Sequence, residues 1–107
     1  MGFYLIQVAY TAEAGKAMVK KPQNREDAAR KAIESLGGKL HAFYFSFGDY
    51  DAVLIAEAPS NVSAAAVALA TTSAGLLSKF HTTTLMTTAE GMEAMKLAQK
   101  VAYTPPK

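Results

Sequence analysis

The chain has no cysteine, no tryptophan and only two histidines. Without cysteine there is no disulfide, no thiolate nucleophile and no Cys-ligated zinc or iron–sulfur site, and the composition fits a reducing, cytoplasmic setting. Long apolar runs are also missing. None reaches the roughly 20 residues a membrane-spanning helix needs, so no membrane partner is expected. The apolar start, Phe3 to Tyr10, has no Lys or Arg before it and reads as a strand rather than a leader.

Charge of one sign is equally scarce. Eleven Lys and Arg stand against nine Asp and Glu, a net +2. Nucleic-acid modules carry a clearer basic excess, and none is expected here as a partner. Lys16, Lys20, Lys21, Arg25, Arg30 and Lys31 cluster but alternate with Glu13, Glu26, Asp27 and Glu34, the pattern of a solvated helical face. Arg25 reads first as a surface ion-pair residue and second as part of an anion site. A Gly-rich phosphate loop, a Gly-x-Ser-x-Gly elbow and a His-Glu-x-x-His motif are all absent.

What remains is a 107-residue chain, half hydrophobic, long enough for one domain with its own core. Residues 1–107 read as that domain, with 103–107 a frayed tail. Gly2 to Tyr10 is nearly continuous in apolar and β-branched residues, as a strand buried on both faces would be. Thr11 to Val19 is short and helical or turn-like, and Pro22 interrupts it. From Gln23 to Leu36, Ala28, Ala29, Ala32, Ile33 and Leu36 share one helical face, Asn24 offers a cap, and Gly37-Gly38 ends the helix.

Lys39–Phe47 and Tyr50–Ala58 form two strands around Gly48-Asp49, a two-residue loop suited to a tight type II′ turn. Ser60 caps an alanine-rich helix, Asn61 to Ser73, whose small side chains predict close approach to a sheet. Ser78 to Met86 is a fourth strand. Thr87-x-x-Glu90 is a capping box opening a last helix, whose stripe of Met92, Met95, Ala98 and Val101 reads as core.

The order β-α-β-β-α-β plus a final helix is an α+β, ferredoxin-like arrangement: a four-stranded antiparallel sheet, strands one and three central, helices on one face. A turn at Gly48-Asp49 pairs Phe47 with Tyr50, Ser46 with Asp51 and His41 with Ala56. One face then carries His41, Phe43, Phe45, Phe47, Tyr50, Ala52 and Leu54, and the other Leu40, Ala42, Tyr44, Ser46, Asp51, Val53 and Ile55. Both are apolar and helices cover only one, so a second copy is expected on the open sheet face as a homodimer or higher homo-oligomer.

Gly48-x-Tyr50-Asp51, with Phe43-Tyr44 and Glu57-Ala58-Pro59 around it, resembles the GYD domain family. Asn24-Arg25-x-Asp27-Ala28-Ala29 and Leu36-Gly37-Gly38-Lys39-Leu40 are similar to it too, and the likeness runs from Tyr4 to about Glu90. It implies a ferredoxin-like fold of the dimeric α/β-barrel type. It does not imply one activity, because such barrels include cofactor-free monooxygenases, isomerases, haem enzymes and ligand sensors.

The residues left for chemistry are few. His41 and His81 open the second and fourth strands, which places both at one end of the sheet on opposite edges, about 14 Å apart. Asp51 falls at the other end, so a His–Asp dyad within one subunit is not expected. Neither is a metal site, since the ligand types do not converge. Asp51 beside a turn reads first as an acceptor for backbone amides, and second, with Tyr50, as an acid/base or substrate-orienting pair. Gly48 and Asp49 are structural.

The leading expectation is a homo-oligomeric, cofactor-free binding module with an apolar cavity for a small hydrophobic ligand. Tyr4, Gln7, Tyr50 and Asp51 are its candidate polar contacts. The alternatives are a cofactor-independent enzyme of the monooxygenase or isomerase kind, with Asp51, Tyr50, His41 or His81 as catalytic candidates, and an assembly protein without ligand.

Overall fold

In the computed structural model, which describes residues 1–107, four strands form one antiparallel sheet in the order β2-β3-β1-β4. These are β1 (Gly2–Tyr10), β2 (Lys39–Phe45), β3 (Ala52–Ala58) and β4 (Leu77–Leu85). The helices are α1 (Ala12–Lys20), α2 (Glu26–Glu34), α3 (Asn61–Ser73) and α4 (Thr88–Ala98). The chain is α+β and ferredoxin-like, with β1 and β3 at the centre of the sheet.

Alternation along the central strands sorts their side chains. Tyr4, Ile6 and Val8 of β1 and Ala52, Leu54, Ala56 and Ala58 of β3 face the helices and form the core with Ile33 of α2 and Leu40 of β2. Phe3, Leu5, Gln7, Val53 and Ile55 face the other way, where no helix lies.

The β2–β3 register follows the expected pairing from Ala42 opposite Ile55 to Phe45 opposite Ala52, then shifts. Leu40, not His41, stands opposite Ala56, and His41 is the extra residue of a bulge. The bulge turns Leu40 onto the helix face, where it is buried, and leaves His41 on the open face. A second irregularity, between Ala9 and Tyr10, pairs Tyr10 with Leu77 and leaves Ser78 over. The Ser78 hydroxyl lies 3.3 Å from the Ala9 carbonyl oxygen it donates to.

The hairpin connection is wider than a two-residue turn. β2 ends at Phe45 and β3 begins at Ala52, and the last rung is the Ser46 N–H donating to the Asp51 carbonyl at 2.8 Å. Phe47 and Tyr50 do not pair; Phe47 is fully exposed. Gly48 has φ +154°, far from the value near +60° of a type II′ turn.

Local chemistry sets the helix ends. Asn24 Oδ1 accepts from the Glu26 N–H at 2.9 Å, so α2 begins at Glu26 rather than Gln23. Gly37, at φ +82°, reverses the chain after α2. Thr87 and Glu90 complete the capping box, and hydrogen bonds from Thr87 hold the Glu90 carboxyl below its ordinary range.

Two expectations are corrected. The alanine-rich α3 does not pack flat on the sheet: none of its residues is fully buried, and only Ala64 and Val67 reach the core. The α4 stripe is not core. Met92, Met95, Ala98 and Val101 are exposed and α4 buries nothing. The radius of gyration is 17.2 Å, against about 13 Å for a compact chain of this length, and the longest dimension is 57 Å.

Gly38 is required by space rather than by dihedral angle. A Cβ there would stand 2.5 Å from the Glu57 carbonyl oxygen and 2.8 Å from Ile33 Cγ2. Gly38→Ala is expected to cost about 1–3 kcal/mol in chemical denaturation, as overpacking does. An unchanged midpoint would mean that α2 and β3 move apart freely.

Candidate functional site

Where α3 stands off the sheet, an apolar cavity of about 240 Å³ lies between the sheet and α1, α2 and α3. Its floor is Ile6, Val8, Phe43, Leu54, Leu77 and Phe80, contributed by all four strands. Small residues on the helices leave the space open: Ala14 and Ala17 of α1, and Ala28, Ala29 and Ala32 of α2. Seventeen of the twenty lining residues are hydrophobic, and Gln23, Arg25 and Thr71 are the other three. The Thr71 hydroxyl donates to the Val67 carbonyl at 2.8 Å, so its proton is occupied within α3.

The polar end of the cavity is therefore Gln23, Arg25 and the hydroxyl of Tyr10. Burial pushes the Tyr10 phenol above its ordinary value, against the pull of the Arg25 charge and hydrogen bond. The phenol thus stays neutral and keeps a proton to donate. An Arg25 N–H donates to Gln23 Oε1 at 3.3 Å, and no carboxylate pairs with Arg25; the two ion pairs of the molecule are Arg30–Glu26 and His41–Glu57.

The residues singled out in the sequence lie elsewhere. The Tyr4 ring belongs to the core, and its hydroxyl donates to Asn61 Oδ1 at the start of α3. Gln7 lies on the open face, opposite Val53 on one side and His81 on the other. Asp51 is tied to β1 twice: its N–H donates to the Val8 carbonyl at 2.8 Å, and its carboxylate accepts from the Tyr10 N–H at 2.9 Å. These are the backbone hydrogen bonds of its structural reading.

The two histidines do not share an end of the sheet. β2 runs parallel to β1 and β4 antiparallel to it, so their first residues lie at opposite ends. His41 sits near Phe3, with the rings 5.7 Å apart, and its Nε2 is 2.6 Å from Glu57 Oε1. His81, opposite Gln7, lies about 13 Å further along the strands. It meets Tyr50 instead, ring centroids 6.3 Å apart, with Lys79 Nζ 5.9 Å from the same tyrosine ring. The Glu57 partner of His41 was not picked out in the sequence, because only the bulge brings the two together. No three His, Asp or Glu side chains converge as metal ligands.

Because the Asp51 carboxylate satisfies a backbone amide at the end of β1, Asp51→Ala is expected to destabilise the fold by about 1–3 kcal/mol. Tyr10 amide exchange should accelerate with it. Asp51→Asn, which keeps an acceptor, should lose less. Equal stability of all three proteins would remove this bond from any structural role.

No curated protein matches the chain significantly. The GYD domain model matches it over residues 4–95, nearly its whole length. The span takes in all of the sheet but Gly2 and Phe3, the cavity with its Arg25 and Tyr10 end, and most of α4, and on that match the chain belongs to the GYD domain family.

Proposed function

We propose that the protein is a homo-oligomeric binding module that holds a small hydrophobic molecule between its sheet and helices. The observation that carries this reading is the 240 Å³ cavity, lined almost entirely by apolar side chains and floored by all four strands. Ligand sites of this kind combine an apolar lining with a few polar groups in fixed places. The reading replaces Tyr4, Gln7, Tyr50 and Asp51 as ligand contacts with Tyr10, Gln23 and Arg25, because the first four do not line this space.

A neutral apolar fluorophore, N-phenyl-1-naphthylamine, should bind one per chain with enhanced emission. Ala28→Phe, which projects a ring into the cavity from α2, should abolish that binding while leaving the circular dichroism spectrum unchanged. Binding that survives Ala28→Phe would place the fluorophore outside the cavity and sink the proposal.

Self-association rests on a different observation. Phe3, Leu5, Tyr44, Val53, Ile55 and Leu85 share a face that no helix covers, and Tyr44 is 68% exposed. A second copy covering it face to face buries the same patch on both subunits, the simplest closed symmetry. α4 extends away from its own sheet, so its exposed methionines are free to meet the partner. Ile55→Lys, on the open face of a central strand, is expected to shift the particle from dimer to monomer in light scattering. A wild-type protein that is monomeric at micromolar concentration would overturn this part of the reading.

A further inference from the structure

We infer that the ligand is an amphipathic organic anion: an apolar body in the cavity and one carboxylate-like group on Arg25 and Tyr10. This rests on the cavity reading above and adds the chemistry of the head group. A purely apolar ligand would leave the polar end of the cavity unused. That end holds a guanidinium with no carboxylate partner, standing among alanines. Arg presents five N–H donors in a rigid fork suited to planar two-oxygen anions. Gln23 Oε1 engages only one N–H of that fork. Tyr10 lines the same cavity with its own O–H, so the pair can offer three donors to a carboxylate from two directions. Burial keeps that phenol protonated well above neutral pH, which preserves the third donor.

The α1–α2 segment carries the same sign, and the carboxylate near Tyr10, Asp51, is held on the Tyr10 N–H. Between Glu13 and Glu34, the segment that forms the cavity's α1–α2 rim, six basic residues stand against four acidic ones, and the rest of the chain is balanced at five and five. The chain's whole positive excess thus lies in this segment. Glu26, the acid next to Arg25 in sequence, is bound to Arg30 at 2.7 Å. Anions are therefore drawn to the rim and, once there, meet an unpaired cation. The cavity volume sets the size of the body at a medium-length alkyl chain or a single aromatic ring system.

The test is displacement of N-phenyl-1-naphthylamine by decanoate and by decanol, which share a chain and differ in charge. Decanoate should displace the fluorophore at a concentration roughly tenfold to hundredfold lower, the worth of a charge-assisted hydrogen bond. In Arg25→Gln, with each competitor referred to that variant's own fluorophore affinity, decanoate should fall to the level of decanol. Arg25→Lys should recover part of the preference, and Tyr10→Phe should lose part of it. If decanoate and decanol compete equally in the wild type, or Arg25→Gln leaves the preference intact, the anionic head group is wrong and the apolar cavity stands. If the fluorophore itself does not bind, the cavity reading fails, and the head-group assignment with it.

Discussion

Asp51 joins the end of the hairpin to the end of β1 with two bonds, its own N–H to the Val8 carbonyl and its carboxylate to the Tyr10 N–H. The second supplies what a central strand lacks at this point. β3 begins only at Ala52, so beyond Val8 there is no further ladder partner on that side of β1. A carboxylate in place of the missing carbonyl holds Tyr10 on the β3 side, while Leu77 of β4 pairs with it on the other. Its ring then continues the Tyr4, Ile6, Val8 face into the cavity and puts the phenol beside Arg25. The polar end of the cavity thus depends on a hydrogen bond made from the opposite edge of the strand.

Both edge strands carry an irregularity that re-aims a side chain towards the helices. On β2 the bulge at His41 turns Leu40 inward, and on β4 the irregularity at Ser78 lets Leu77 face the helices beside Phe80. In each case one extra residue corrects the alternation so that an apolar side chain joins the covered face. The consequence on the other face is a polar residue displaced outward. His41 becomes the partner of Glu57 for this reason, and its short contact with that carboxylate is a by-product of seating Leu40.

Such corrections explain what the sequence could and could not disclose. Strand order, the antiparallel sheet, the α3 bounds and the Thr87 capping box were legible because turn residues, caps and period-2 patterning act locally. The bulges were not, since Leu40-His41-Ala42 reads equally well in either register until its partner strand is placed. The tight turn failed because Gly-Asp permits a two-residue loop without requiring one, and the Ser46–Asp51 rung closes a longer one. The histidine placement failed through strand direction: in this topology β2 and β4 run oppositely. An apolar cavity was expected, but its lining and its polar end were hidden. Ala28, Ala29, Ala32, Ile33 and Val67 have the spacing of core residues, and nothing in that spacing says that the helices stand apart.

Alanine is the physical cause of that separation. Along α2 and α3 it supplies helix propensity without volume, so the helices form and the space they enclose is left unfilled. Against a filled core, a void of this size at ~24 cal/mol per Å³ would cost up to about 6 kcal/mol, comparable with the whole stability of a small domain. The cost is reduced because the space is partly open to solvent. Larger residues at Ala28 or Ala32 would close the space and stabilise the fold, but they would also bury Arg25 without a counter-charge. A buried guanidinium needs a partner. The small residues and the unpaired arginine are therefore two parts of one arrangement: the alanines keep the arginine solvated, and the arginine gives the apolar space a direction.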